Sequence, residues 1–304
     1  MTAPIAARMT DHTMASRAHS MFAATLRRVV MLALLLTVAA CARERESARV
    51  LRVCADPNNL PFSNEREEGF ENELAHMVAR EMGARVEYTW WAQRRGFIRN
   101  TLGAGACDVV MGMPASMELA LTTRPYYRST YVFVTRRAAG LHPRSLDDSL
   151  LRRVRVGVQV IGDDYANAPP AHAMARRGIV QNVRGYSVYG DYARPSPPSR
   201  IVQGVATGEV DVAIAWGAMA GYFAARQPVA LDVTPVSPEI DLPFVPMVYD
   251  ISLGVRREDV ALRDELDAVL ARLRPEIGRL LERYHVPRAD HPRAETVARR
   301  EETS

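Results

Sequence analysis

Lysine is absent: all 39 basic residues are arginine, which reads as a coding bias more than a designed surface. Cysteine is scarce, at 3 residues, and no C-x-x-C pair occurs, so a dithiol redox motif is excluded. No G-x-S-x-G and no phosphate-binding loop are found, which removes a nucleophile elbow and a P-loop nucleotide site. His76, His142, His172 and His285 stand apart from other residues at ligand spacing, so no metal is expected. The one long apolar run, of about 12 residues, is too short for a comfortable membrane span.

What is present is the composition of an ordinary globular protein. With 48% hydrophobic and 24% charged residues, the chain is neither disordered nor a multispan membrane protein. Its 304 residues exceed what one core usually spans, so two lobes are the first expectation. The net charge is +4, but Arg8, Arg17, Arg27 and Arg28 against Asp11 supply +3 of it before residue 41. A clustered basic face is not evident, and nucleic acid is not an expected partner.

The opening segment carries export anatomy. In MFAATLRRVVMLALLLTVAAC, Arg27 and Arg28 precede an apolar stretch that ends in small residues, as in a signal peptide, and Met21 is a candidate true start. Residues 1–41 are assigned to this signal, and the mature protein is expected in the periplasm. Val38-Ala39-Ala40-Cys41 resembles a lipobox, which makes Cys41 a candidate lipidation site and the chain's one route to a membrane. The alternative is ordinary cleavage nearby that leaves Cys41 inert or removed.

Cys54 and Cys107 are a candidate disulfide pair, because an oxidising compartment favours bonding. Geometry argues the other way. If strands at 51–56 and 108–112 run parallel with Asp56 level with Gly112, the two thiols are about three residues, roughly 10 Å, apart.

Apolar periodicity predicts a strand at 51–56, a helix at 69–84 ended by Gly83, a strand at 85–91, a short helix at 97–105 and a strand at 107–113. The pattern recurs as a strand at 152–160, helices at 171–179 and 199–210, and a strand at 211–217. Extended stretches at 126–137 and 243–257 cross between the repeats, and an amphipathic helix over 261–285 is interrupted at Pro275. This is an α/β chain of two lobes joined by two extended hinge crossings. Lobe 1 takes 50–134 and 246–287, lobe 2 takes 135–245, and 288–304 form a flexible tail.

LRVCADPNNLPFSN, GFENELAHMVAREMGA, CDVVMGMPAS, RPYYRSTYVFV, RVGVQVIG and TGEVDVAIAW resemble the extracytoplasmic solute-binding proteins that serve polar amino acid importers. The resemblance implies a periplasmic-binding-protein-like type II fold with its ligand between the lobes. It implies cleft roles for Asp56 and Asn59, for Arg94, for Met113 and Ser116, and for Gln159 and Gly162 in the second lobe. Two family anchors are missing. The Thr-x-x-Arg turn that forks onto a ligand carboxylate reads Ser116-Met117-Glu118-Leu119, and the Asp that meets the ligand ammonium is Trp216. An α-amino acid is therefore not the expected cargo.

YTWWAQRRGFIRNTL, LTTRPYYRSTYVFV and GYSVYGDYARPSPPSRIVQGVATGEVDVAIAWG further resemble the MoxJ/XoxJ group, solute-binding-like proteins associated with PQQ-dependent methanol dehydrogenases. This implies a noncatalytic accessory protein that assists maturation or activation of a PQQ-dependent methanol or alcohol dehydrogenase, itself carrying no cofactor. The alternative is the receptor of an ABC importer for a small solute other than an α-amino acid.

The remaining features divide between surface and cleft. Trp90, with Trp91 and Arg94, is either an aromatic and basic cleft rim or a core residue beside an exposed one. Arg94, Arg95 and Arg124 suit a small anionic ligand, and the Trp pair a flat aromatic one. Residues 185–199 read as an irregular connection whose Tyr186, Tyr189 and Tyr192 are candidates for a partner-binding surface. Asp163 and Asp164 read as solvated loop charges, and catalysis, such as dehydration in the cleft, lacks a positioned acid and base.

Overall fold

Strand formation begins where the apolar run does. In the computed structural model, which describes residues 49–115, 117–161, 167–189 and 191–289, Val53, Cys54 and Ala55 bury the end of β1 (Arg49–Ala55). The export segment, Cys41, Ser116, Gly162, Asp163, Asp164 and the tail from residue 290 lie outside the described residues. Two short strands, β2 (Asn58–Asn59) and β3 (Ser63–Asn64), pair across the Pro and Asn loop.

Helix α1 (Phe70–Glu81) starts at Gly69, whose N–H donates to Asn72 Oδ1 at 3.1 Å. Its buried stripe is Phe70, Leu74, Ala75 and Val78, one face at helical spacing. Gly69 also lies against the backbone of Phe62, where a Cβ would sit 1.9 Å from the carbonyl oxygen, so no larger residue fits. The helix turns out through Gly83 at φ +62. After it come β4 (Ala84–Trp90), α2 (Phe97–Asn100), β5 (Val109–Pro114), β6 (Leu121–Thr122) and β7 (Tyr127–Arg136). Helix α2 is a single turn of the expected 97–105, because the chain then bends through turns to Gly105 at φ +72.

The second half is built from β8 (Val156–Val160), α3 (Pro169–Arg176), β9 (Val183–Ser187), α4 (Arg200–Thr207), β10 (Val212–Trp216), α5 (Gly217–Ala224) and β11 (Leu231–Pro235). A hairpin of β12 (Ile240–Asp241) and β13 (Val245–Pro246) leads into β14 (Val248–Val255), and α6 (Val260–Arg272) and α7 (Arg274–Arg283) follow. The break between α6 and α7 falls at Leu273, two residues before Pro275, which stands in the first turn of α7. Residues 185–187, expected as irregular, belong to β9, and Tyr186 is a core residue whose hydroxyl donates to Glu209 at 3.0 Å. A surface role for Tyr186 is thereby corrected.

Ten strands form one sheet in the order β4-β1-β5-β14-β7-β10-β8-β9, with β11 beside β7 and β6 beside β14. β7 carries the sheet across: Tyr127 to Thr130 pair with β14, and Tyr131 to Thr135 pair with β10. On β7, Val132 and Val134 enter one core while Phe133 enters another, so both faces of this half are covered and its strands read as nearly continuous apolar runs.

The expected register holds, with Val53 opposite Val109 and Cys54 opposite Val110 in parallel strands. The distance drawn from it does not. Strand β5 begins at Val109, so Cys107 is off the ladder, and Asp108 N–H donates to Arg52 O at 2.8 Å as the chain turns in. Cys54 and Cys107 are bonded, with Cα atoms 5.5 Å apart, inside a cluster with Phe97, Leu102, Val110 and Met113. The bond closes a loop over a sequence separation of 53. Replacing both cysteines by serine should lower unfolding free energy by about 4 kcal/mol. Equilibrium urea denaturation checks this, and an unchanged midpoint would contradict it.

Candidate functional site

Residues at the carboxyl ends of β1, β5, β8 and β10 converge on one hollow, the place where sheets of this kind bind ligands. Asp56, Pro114, Gln159 and Trp216 share a chamber of about 450 Å³. It adjoins an inner chamber of about 310 Å³ walled by Glu71, Gly112, Met113, Tyr127, Tyr249 and Ile251. Asn59, Phe62, Gln93, Pro114, Tyr131 and Trp216 line both. A larger surface hollow of about 710 Å³, lined by Arg137, His142 and Asp232, contains none of these strand ends.

Asp56 is buried, and its carboxylate already meets three donors. Oδ1 accepts from Asn58 N–H at 2.8 Å, and Oδ2 accepts from Gln93 N–H at 2.6 Å and from the Tyr192 hydroxyl. Tyr192 reaches Asp56 from the connection after β9, and the Arg94 guanidinium lies 4.9 Å from the centre of its ring. Asn58 completes the join: its amide donates to Arg194 O at 2.8 Å, and its Oδ1 accepts from Ser196 N–H at 3.0 Å. Burial, with the Asp56 carboxylate beside it, holds the Tyr192 phenol well above its ordinary range. Residues 191–196 are thus strapped across the loop that follows β1.

Trp216 ends β10 between two aromatic neighbours, edge to face with Tyr131 at 5.4 Å and Tyr249 at 5.9 Å. Its backbone N–H donates to Gln159 Oε1 at 3.3 Å, which fixes the second-half side of the hollow.

Several expected cleft residues lie elsewhere. Trp90 stacks on Tyr88, with ring centres 4.4 Å apart, and packs against the first-half core, while Trp91 is exposed. Arg124 lines a small hollow beside α6 with Asp267 and Arg274, and its backbone N–H donates to Asp267. Arg94 contacts Tyr192 and lines neither chamber. Among the described residues no arginine lines either chamber, which counts against a small anionic ligand. Leu119, at the arginine-fork position, is 69% exposed. Tyr189 lines the outer chamber, and Ser116 and Gly162 lie outside the described residues.

Sequence reasoning missed Glu71. It stands in the first turn of α1 and faces the inner chamber, flat against Gly112, where a Cβ would meet its Oε1 at 2.0 Å. Burial, reinforced by the Asp56 charge, pushes its carboxyl up to about 8. A glycine inside a buried strand, opposite an acidic residue in a helix's first turn, was the available signal.

The sequence profile of the bacterial extracellular solute-binding proteins, family 3, matches residues 51–287. The chain belongs to that family. A relative from Methylorubrum extorquens named Protein MoxJ is 32% identical over 250 residues, covering 80% of this chain and 83% of MoxJ. The crystal structure of periplasmic binding protein XoxJ from Methylobacterium extorquens AM1 is 31% identical with a TM-score of 0.65, over 79% of this chain and 100% of XoxJ. MxaJ from Methlophaga aminisulfidivorans, also a crystal structure, is 25% identical with a TM-score of 0.67 and the same coverage. The type II fold of this solute-binding family and the resemblance to the MoxJ/XoxJ group both stand. Among the described residues no helix is long and apolar enough to cross a membrane.

Tyr192→Phe tests the strap in this family 3 protein. It keeps the ring under Arg94 and removes the hydroxyl donated to Asp56, with an expected loss on the order of 1–3 kcal/mol. Amides of residues 191–196 should exchange faster with deuterium, and equal stability with equal exchange would show that no strap forms.

Proposed function

We propose that this chain is a noncatalytic periplasmic accessory protein that docks on a PQQ-dependent methanol or alcohol dehydrogenase and assists its maturation or activation. One observation carries this reading: Asp56 is held by the protein's own Tyr192, Gln93 and Asn58, so the chain occupies its own ligand entrance. Leu119 and Trp216 in place of the amino acid anchors support it, as do the MoxJ, XoxJ and MxaJ relatives. In this reading β7 and β14 are the crossings between lobe 1 (50–134 and 246–287) and lobe 2 (135–245), and the strap restrains their opening. Cys41 would carry a lipid that keeps the protein at the membrane, which mass spectrometry of the mature protein decides.

A docking surface is available on the β12–β13 hairpin. Ile240, Leu242 and Phe244 are 59%, 79% and 87% exposed, an unusual concentration of large apolar side chains on one short turn. The hairpin is anchored from below. Buried Asp241 accepts from Arg177 at 2.7 and 3.0 Å and also from Arg176. The Arg177 bond, with Arg176 adding to it, lowers the Asp241 carboxyl beneath its ordinary range despite desolvation. A depressed folded value means that this contribution is complete above the unfolded carboxylate range and is lost only as pH falls through the folded value. The knob therefore stays fixed across neutral pH.

A second reading keeps the fold's ancestral task. Chambers of about 450 and 310 Å³ fall within the size of small-molecule sites, which suits a receptor that delivers a solute to an ABC importer.

The double substitution Leu242→Ser and Phe244→Ser separates the two. It should leave the melting temperature within about 2 °C, since exposed residues contribute little to stability, and should weaken co-purification with the dehydrogenase at least tenfold. A strain lacking the protein should show reduced dehydrogenase activity during growth on methanol. Unchanged activity in that strain, with tight binding of a metabolite to the purified protein, would establish the receptor reading instead.

A further inference from the structure

We propose that the inner chamber is a binding site for a small alkylated ammonium ion, held between the Glu71 carboxylate and the surrounding aromatic rings. The inference stands apart from the docking reading, since it concerns the chamber beneath the strap and not the hairpin.

The lining dictates the sign of the ligand. Phe62, Tyr127, Tyr131, Trp216 and Tyr249 supply aromatic rings, and Glu71 is the acidic group of the chamber's wall. No arginine lines it among the described residues, and Asp56 adds negative charge. An anion would meet the Asp56 carboxylate and no counter-charge. A zwitterion would find no fork for its own carboxylate.

Glu71 itself wants a partner. No described residue donates a hydrogen bond to its carboxyl, although its backbone N–H donates to Phe62 O at 3.0 Å. A carboxylate set against apolar walls without donors is costly, and a cation removes that cost by pairing with it. Ring faces attract cations through their quadrupoles, most strongly when the cation is poorly hydrated. Alkylation matters for the same reason: each N–H of a bare ammonium would need an acceptor in a chamber whose wall is largely aromatic and aliphatic.

The ionisable groups whose charge acts on Glu71 or is acted on by it are Asp56 after β1, Tyr88 on β4, and Tyr126 and Tyr127 where the chain enters β7, while β5 sets Gly112 against it. All three phenols are raised by burial and stay neutral near pH 7. Glu71, raised to about 8, then binds a proton in the empty chamber at neutral pH and must release it to a cationic ligand. Affinity should rise roughly tenfold per pH unit below about 8 and then level off.

Calorimetric titration of the mature protein with three probes of similar shape provides the test: tetramethylammonium, neutral tert-butanol and anionic pivalate. The expected result is saturable binding of tetramethylammonium alone, strengthening from pH 6 to 8, with about one proton released per ligand at pH 6.5 when buffers of different ionisation enthalpy are compared. Glu71→Gln should abolish the pH dependence and weaken binding at least tenfold while keeping the melting temperature at or above that of the parent. Trp216→Leu should weaken binding and keep the pH dependence. Equal binding of tert-butanol or pivalate, affinity independent of pH in the parent protein, or no saturable binding of tetramethylammonium would each overturn the proposal. The proton count on the parent protein decides the matter even if Glu71→Gln fails to fold.

Discussion

The carboxylate of Asp56 is the point on which the arrangement of this molecule turns. It lies at the end of the first buried strand, where desolvation would make an unsatisfied charge untenable. Three donors meet it: the Asn58 N–H two residues on, the Gln93 N–H after β4, and the Tyr192 hydroxyl 136 residues away. The first two fix the loop beside β1. The third ties the connection after β9 to it, and Asn58 secures that connection through the backbone of Arg194 and Ser196. The carboxylate thereby organises the chain around it.

The rest of the hollow likewise offers a zwitterion no paired anchors. A zwitterion needs charges of both signs at fixed positions, and these are the features the chain no longer has: Leu119 projects into solvent, and Trp216 packs between Tyr131 and Tyr249. The aromatic cluster keeps the hollow open without supplying an anion site. An acidic side chain persists at Glu71, protonated in the empty hollow at neutral pH, and Gly112 leaves it the room to stay.

Much of the scaffold was legible in the residues because it rests on local periodicity. The buried stripe of α1, its end at Gly83, the break beside Pro275 and the offset that sets Asp56 level with Gly112 all follow from spacing and turn chemistry. Helix α5 was not read because every residue from Gly217 to Ala224 is buried, and a helix without a polar side shows no period. Strand β11 was also missed, since Leu231–Pro235 is a short partly buried strand with polar residues interspersed. The site was harder still. Arg124 and Trp90 are chemically plausible cleft residues that the chain places elsewhere, while the contact of Tyr192 with Asp56 depends on a long connection whose path no local pattern dictates. The bond between Cys54 and Cys107 escaped the distance argument because the chain bends two residues before its strand begins.

Helix α3 has a further consequence. Its first residue, Pro169, and the preceding Ala168 are part of the outer chamber's wall, while Arg176 at its last turn and the adjoining Arg177 grip Asp241 beneath the apolar hairpin. Eight helical residues make a stiff rod of about 12 Å. The ionic anchor of the apolar hairpin and part of the chamber's wall are therefore the two ends of one short element, joined by a path that does not run through the sheet.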